Sequence, residues 1–332
     1  MASGRAPSRG RPLPMNEVLG LLAEPVVLRS QLLAAGHSDR DLARLVRARI
    51  LYRVRRGAYV DHSMWEAADA AQRHVLVTRA VVKQGQAELV VSHSSALPLL
   101  GVPTWGIKMD EVHVTRPDGR CGRRERGVSQ HRGALFEGDV MERHGLQVTS
   151  GTKTAIDVST CCRSEAALVA MTLLIRRRLT NLKALEQRYS SMEHDPFTLK
   201  TGLLLRLVDD RLESVGEIRT HFMLFRGGVP SPQPQFELRD ELGDLVARLD
   251  FAWPEFGVWL EFDGREKYVK FLKEGESVVD VVLREKQRET MIGQATGWRC
   301  IRITWADLQD PSATVARILA FLGVTSRVPP VT

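Results

Sequence analysis

From Leu245 to Asp263 the chain reads LVARLDFAWPEFGVWLEFD, and apolar and charged residues alternate at both ends of that run. Leu249, Phe251, Leu260 and Phe262 take every second place, with Arg248, Asp250, Glu261 and Asp263 between them. A period of two predicts half-buried strands, and Pro254 and Gly257 between the two stretches predict a tight turn. Centring that turn on Glu255 and Phe256 sets Asp250 opposite Glu261. A register slipped by two residues keeps the same faces, whereas a slip of one reverses one strand.

Near the start of the chain the apolar spacing is helical. Leu42, Leu45, Val46 and Ile50 fall on one face of a helix that opens at Ser38, with Asp41 three residues on as a capping partner. Arg40, Arg44 and Arg47 line the other face. LYRVRRGAYV (51–60) reads as two short strands turning at Arg55-Arg56-Gly57. Short helices over 15–23 and 27–36 come before, so the order is three helices and then a basic hairpin. That is the order of a winged helix-turn-helix, whose third helix enters the major groove while the wing touches the backbone. A solvated arginine face on a small helical domain is the plainer alternative.

Residues 62 to about 160 read as mixed α/β. HVLVTRAVVKQ predicts a helix, ELVVSHSSALPLLGVP a strand running into a helix, and DEVHVTRP a strand. No ligand spacing joins His93 and His113, which read as structural. A helical region over 164–190 leads to a linker at 190–198. The second half predicts a helix over 199–214, a helix ended by Gly227-Gly228, and a strand entering a hairpin at Glu241-Leu242-Gly243. After the 245–263 hairpin come a helix over 279–296 stopped by Gly297, a buried strand WRCIRITW and a last helix over 311–322. On the 279–296 helix, Val281, Glu285, Arg288, Ile292 and Ala295 form one stripe, with Lys286 and Glu289 beside it. Charge in an apolar stripe is costly unless it meets partners; a surface array of ion pairs is the alternative.

Charge sharpens this picture. The chain has 332 residues and a net charge of +7. Residues 40–56 hold seven arginines against one acid, residues 116–132 hold six against two, and residues 250–263 hold four acids and no base. Basic surfaces flanking an acidic spot suit a phosphodiester-cleaving or phosphate-binding metal site. Carboxylates crowded on one hairpin face are neutralised by a divalent ion, and hard oxygen ligands favour magnesium or manganese. A solvent-facing acidic hairpin is the competing reading. No apolar run reaches the roughly 20 residues of a membrane span. Residues 1–14 read as a disordered basic tail, and Cys121, Cys161, Cys162 and Cys300 lack the spacing of a zinc or disulfide framework. A cytoplasmic protein is expected.

Together SVGE (214–217), LDFAWP (249–254), EFDGREKY (261–268), DVV–REKQRE (280–289) and GWRCIRITWADL (297–308) resemble an actinobacterial branch of the PD-(D/E)XK nuclease superfamily. That branch is related in fold to the very-short-patch-repair endonuclease. The resemblance implies a metal-dependent nuclease core in which Asp250 and Glu261 bind the metal and Glu217 is the acid from the first helix. Asp263 stands where the superfamily has its lysine, so Lys267 or Lys286 is the stand-in, with Asp263 assisting or orienting water. Residues 32–60, SHSSALPLLGVP, VHVTRP and VTSGTKTAIDV resemble the AbiEi family of type IV toxin–antitoxin antitoxins, which repress their own operon. The expected architecture is a multi-domain α/β protein. After the tail come a winged-helix DNA-binding domain at 15–62, an AbiEi-like middle domain at 63–190 and a restriction-endonuclease-like domain at 198–325. Arg40, Arg44, Arg47, Arg53, Arg55 and Arg56 are the expected DNA contacts, and Glu285, Arg288 and Glu289 secondary site residues. The expected partner is nucleic acid, first double-stranded DNA, with a toxin or a second copy of the chain as protein partner and no membrane. The expected activity is phosphodiester hydrolysis; the alternative is a repressor or antitoxin whose nuclease-like domain is inactive.

Overall fold

The computed structural model describes residues 24–118, 124–192, 198–264 and 278–324, with the side chains of 124–125 and 278–285 excepted. The expected tail 1–14, the helix 15–23, Cys121 and Lys267 lie outside the described residues, as does the side chain of Glu285. The protein is mixed α/β and forms two compact units, Met1–Ala166 with Leu179–Thr201, and Ala167–Arg178 with Gly202–Thr332.

The first unit holds two sheets. In the smaller, strands β1 (Val27–Leu28), β2 (Leu51–Arg55) and β3 (Ala58–Asp61) run antiparallel in the order β1-β3-β2. Helices α1 (Arg29–Ala34) and α2 (Asp39–Arg47) precede the hairpin. The helix expected from residue 27 starts two residues later, because Val27 and Leu28 pair with Tyr59 and Ala58 instead. Ser38 caps α2 as its sequence predicts: its Oγ accepts the Asp41 amide while Asp41 accepts the Ser38 amide. Val27, Leu32, Leu42, Leu51 and Tyr59 form the core, with Leu45 and Val46 against it.

Helices α3 (His62–Ala67) and α4 (Ala70–Gln84) lead to a six-stranded sheet. Its strands are β4 (Val90–Val91), β5 (Val112–Arg116), β6 (Arg124–Glu125), β7 (Val128–Arg132), β8 (Val140–Arg143) and β9 (Leu146–Thr149), in the order β6-β7-β5-β4-β9-β8. The pairs β5–β7 and β4–β9 are parallel. A short turn and α5 (Ala96–Leu99) follow β4, and α6 (Gly151–Cys161) follows β9. Helix α7 (Ser164–Arg176), which falls mostly in the second unit, and α8 (Leu182–Ser190) in the first complete the expected helical region.

In the second unit, α9 (Leu199–Leu207) is shorter than the 199–214 helix its sequence predicts, and Ser214 caps α10 (Val215–Arg226). Strands β10 (Gln233–Arg239), β11 (Leu245–Trp253), β12 (Val258–Asp263) and β13 (Arg299–Thr304) lie in sequence order, antiparallel except for the parallel pair β12–β13. Helix α11 (Val278–Thr296) makes the crossover that a parallel pair requires, and α12 (Pro311–Leu322) ends the described chain's helices. Leu249, Phe251, Trp253, Trp259, Leu260 and Phe262 are buried, so the hairpin is covered on both faces.

Candidate functional site

The acidic hairpin folds in the register its alternation predicts. Phe251 pairs with Leu260, Ala252 with Trp259 and Trp253 with Val258. Pro254 opens a single turn, and Gly257 closes it with φ +57°, a conformation glycine adopts without steric cost. The pairing ends at Phe251 and Leu260, and Asp250 and Glu261 are the next residues on the two strands.

Each of these carboxylates has a protein partner. Asp250 is only 8% exposed, and its Oδ2 accepts the Phe262 amide N–H at 2.9 Å. Glu261 Oε1 lies 3.4 Å from Arg288 Nη2 on α11, and the same nitrogen donates to the Arg248 carbonyl at 2.6 Å. Arg288 in the apolar stripe therefore meets partners, as the cost of burying its charge requires. Ile292, one turn further along that stripe, is buried against Ala252 and Trp259.

Helix α10 brings the third acid. Glu217 is 2% exposed; its Oε1 accepts the Ser214 hydroxyl at 2.7 Å and its Oε2 accepts the Glu213 amide at 2.8 Å. Oε2 also accepts the side-chain amide of Gln235 at 2.8 Å. Gln235 lies on β10 between the pairs Pro234–Phe251 and Phe236–Leu249, across from Asp250. Its φ is +52°, the left-handed region that costs a non-glycine residue on the order of 1–3 kcal/mol and recurs at functional sites. Gly216 allows the close approach of α10, since a Cβ there would stand 2.0 Å from the Phe262 ring. Glu217, Gln235, Asp250 and Glu261 thus follow one another across one helix and three neighbouring strands.

The remaining acidic-site expectations separate. Asp263 ends β12, half-buried, in register with Thr304. Glu289 holds Arg302 at 2.8 and 3.0 Å, and Lys286 is exposed on α11. Burial, with Glu289 beside it, pushes the Cys300 thiol up to about 12, so Cys300 is neutral. Carboxylate oxygens are the hard donors that magnesium and manganese prefer, and Asp250 and Glu261 supply them from adjacent strands. Among the described residues, no group of three or more His, Cys, Asp and Glu has the arrangement of a metal site.

In the first unit, Arg40, Arg44, Arg47, Arg53 and Arg56 are exposed and Arg55 is half-buried. Arg44 pairs with Asp41 at 2.9 Å, and Arg47 Nε donates to the Ala43 carbonyl at 3.2 Å. Arg53 and Arg55 stand on β2, and Arg56 with Gly57 makes the turn into β3, so the basic hairpin forms as expected.

Sequence reasoning missed Gln235, which a polar position in a strand gave no reason to single out. It also missed a cluster in the six-stranded sheet. His93, His113 and His131 gather there, with ring centroids 3.6 Å apart for His93–His131 and 5.0 Å for His113–His131. His113 Nδ1 and His131 Nε2 are hydrogen-bonded at 2.7 Å. Beside them Lys153 and Asp157, one turn apart on α6, form a buried ion pair, and His93 Nδ1 lies 3.7 Å from Asp157. Burial lowers all three histidines, His131 to about 3, so they are neutral near pH 7.

No family model matches the sequence, and no curated protein matches it. Among solved structures, the chain is similar to the Rv2827c protein of Mycobacterium tuberculosis, at 16% identity and a TM-score of 0.41, covering 60% of this chain and 78% of that one. No helix among the described residues is long and apolar enough to cross a membrane.

Proposed function

We propose that this protein binds double-stranded DNA through the arginines of its first unit and hydrolyses phosphodiester bonds at the acidic site of its second. The observation that carries the reading is the run Glu217–Gln235–Asp250–Glu261 across a helix and three strands of a mixed sheet, with a strained backbone at Gln235. It supports a restriction-endonuclease-like second unit of the PD-(D/E)XK kind. Two helices, the second capped by Ser38, packed on a basic three-stranded sheet support a winged helix-turn-helix, and the AbiEi-like reading of the region after it rests on the sequence resemblance.

Asp250 and Glu261 would hold magnesium or manganese, which when bound supplies a polarised phosphoryl oxygen and an activated water. Asp250 is fixed by the Phe262 amide, and Glu217 is oriented by Ser214, Glu213 and Gln235, so neither carboxylate needs to reorganise on binding. Asp263 is assigned to orienting water, and Lys267 or Lys286 to offsetting charge on the phosphate. The arginines bind by neutralising backbone phosphates, which makes affinity fall with salt.

A second reading has its own observation: Asp263 stands where the superfamily has a lysine, and Arg288 already pairs with Glu261. Both features suit a repressor or antitoxin whose nuclease-like unit is inactive, with a toxin or a second copy of the chain as partner. Supercoiled plasmid separates the two. Wild-type protein with magnesium or manganese nicks it, and Glu261→Gln abolishes nicking while DNA affinity is retained. Intact plasmid, single strands and RNA under both metals would leave the repressor reading.

A further inference from the structure

We propose that the first unit carries a second ligand site, for an organic anion with a flat apolar body of about mononucleotide size, in the cavity beside the β2–β3 hairpin. The cavity encloses about 860 Å³, within the range that small-molecule sites occupy. Arg55 and Arg56 from the hairpin, Arg73 from α4 and Arg126 before β7 line it, with Asp110 the acid among the described lining residues. Arginines gathered around one concavity raise the positive potential inside it, which favours a bound anion. Between them the wall is mixed, and Trp65, Val77, Met109 and Val112 are its main apolar residues.

Two of these groups are set in place before any ligand arrives. Trp65 stacks on Tyr52, with centroids 4.3 Å apart and planes 11° from parallel. Arg73 donates from Nε to the Trp65 carbonyl at 3.0 Å, and its guanidinium stands 5.3 Å from the centre of the Trp65 ring. A guanidinium has five N–H donors, so these contacts orient Arg73 without exhausting it. His74, also in the wall, adds no charge: burial lowers it, and its ring nitrogens are engaged by the Met109 carbonyl at 3.0 Å and the Ser95 hydroxyl at 2.8 Å.

The apolar part of the wall decides the class of ligand. A phosphodiester backbone brings charge but no apolar body to meet Trp65 and Val77, whereas a nucleoside phosphate or an aromatic carboxylate brings both. Arg55 and Arg56 are also expected DNA contacts, so a ligand held here lowers DNA affinity; that consequence, unlike the site, rests on the DNA-binding reading.

Calorimetric titration of the full-length protein, without DNA, tests the site. Adenosine monophosphate and benzoate are the two organic probes, and inorganic phosphate is the control. At least one organic probe should bind more tightly than about 1 mM and at least tenfold more tightly than phosphate. Arg126→Gln should weaken that binding at least tenfold, and so should Arg73→Gln, whereas Arg44→Gln on α2 should leave it unchanged. No heat from either organic probe, equal binding of phosphate, or unchanged binding in Arg126→Gln would overturn the proposal. A protein that binds the probe but no DNA would contradict only the DNA-binding reading.

Discussion

Lys153 and Asp157 in the first unit neutralise each other one helical turn apart, with three uncharged histidines packed beside them. At the acidic site of the second unit the balance differs. Glu217 and Asp250 accept hydrogen bonds from amide and hydroxyl donors, and Glu261 pairs with Arg288. Both arrangements bury charge, which folding tolerates only when the charge is compensated. In the first unit the ion pair is internal to α6: Asp157 Oδ1 meets Lys153, while its buried Oδ2 faces His93 Nδ1 at 3.7 Å without a hydrogen bond. In the second, backbone and side-chain donors fix the Glu217 and Asp250 carboxylates in place.

The largest effect expected from this contrast is on folding of the first unit. Lys153→Met leaves Asp157 buried without its cation and should cost about 3–5 kcal/mol, read by urea unfolding. Lys153→Met with Asp157→Leu should recover most of that loss, because the remaining charge goes too. Asp250→Asn in the second unit should cost far less, since it removes a charge from an acid-rich site. Equal losses for Lys153→Met and Asp250→Asn would erase the distinction.

A second effect is on the acid limb of stability. His131 titrates near 6.5 when unfolded and near 3 when folded, because burial opposes its charged form. The unfolded chain therefore binds the proton first, so the native state keeps this contribution above pH 6.5 and loses it as pH falls from 6.5 towards 3. His131→Phe should flatten the dependence of unfolding free energy on pH in that window by up to one proton. An unchanged slope would show that His131 is not held neutral by the fold.

What was legible in the sequence follows the range of the interactions. The 245–263 hairpin, the Ser38 cap and the arginine hairpin were legible because alternation, capping and turn residues act within a few positions. Arg288 was legible as a charge in an apolar stripe, and it meets Glu261 as that position demands. The six-stranded sheet was not, beyond its β4 and β5 stretches. Its β4–β9 and β5–β7 pairings are parallel and join distant segments, and VSQHR in β7 offers little apolar signal. His93, His113 and His131 meet only through those pairings, so their spacing along the chain carries no trace of the cluster. Gln235 is hidden for a different reason: its left-handed backbone is a property of the folded strand edge, and no glycine marks it.

The central claim is that Asp250 and Glu261 form a cation site, and thermal melting with and without magnesium tests it most directly. A ligand that binds only the native state stabilises it by mass action, by about 2.7 kcal/mol at a hundredfold excess over Kd. Millimolar magnesium or manganese should therefore raise the Tm of the wild-type protein by several degrees, and Asp250→Asn and Glu261→Gln should each remove that rise. A wild-type melt indifferent to both ions, or a rise that survives in Asp250→Asn, would contradict the account.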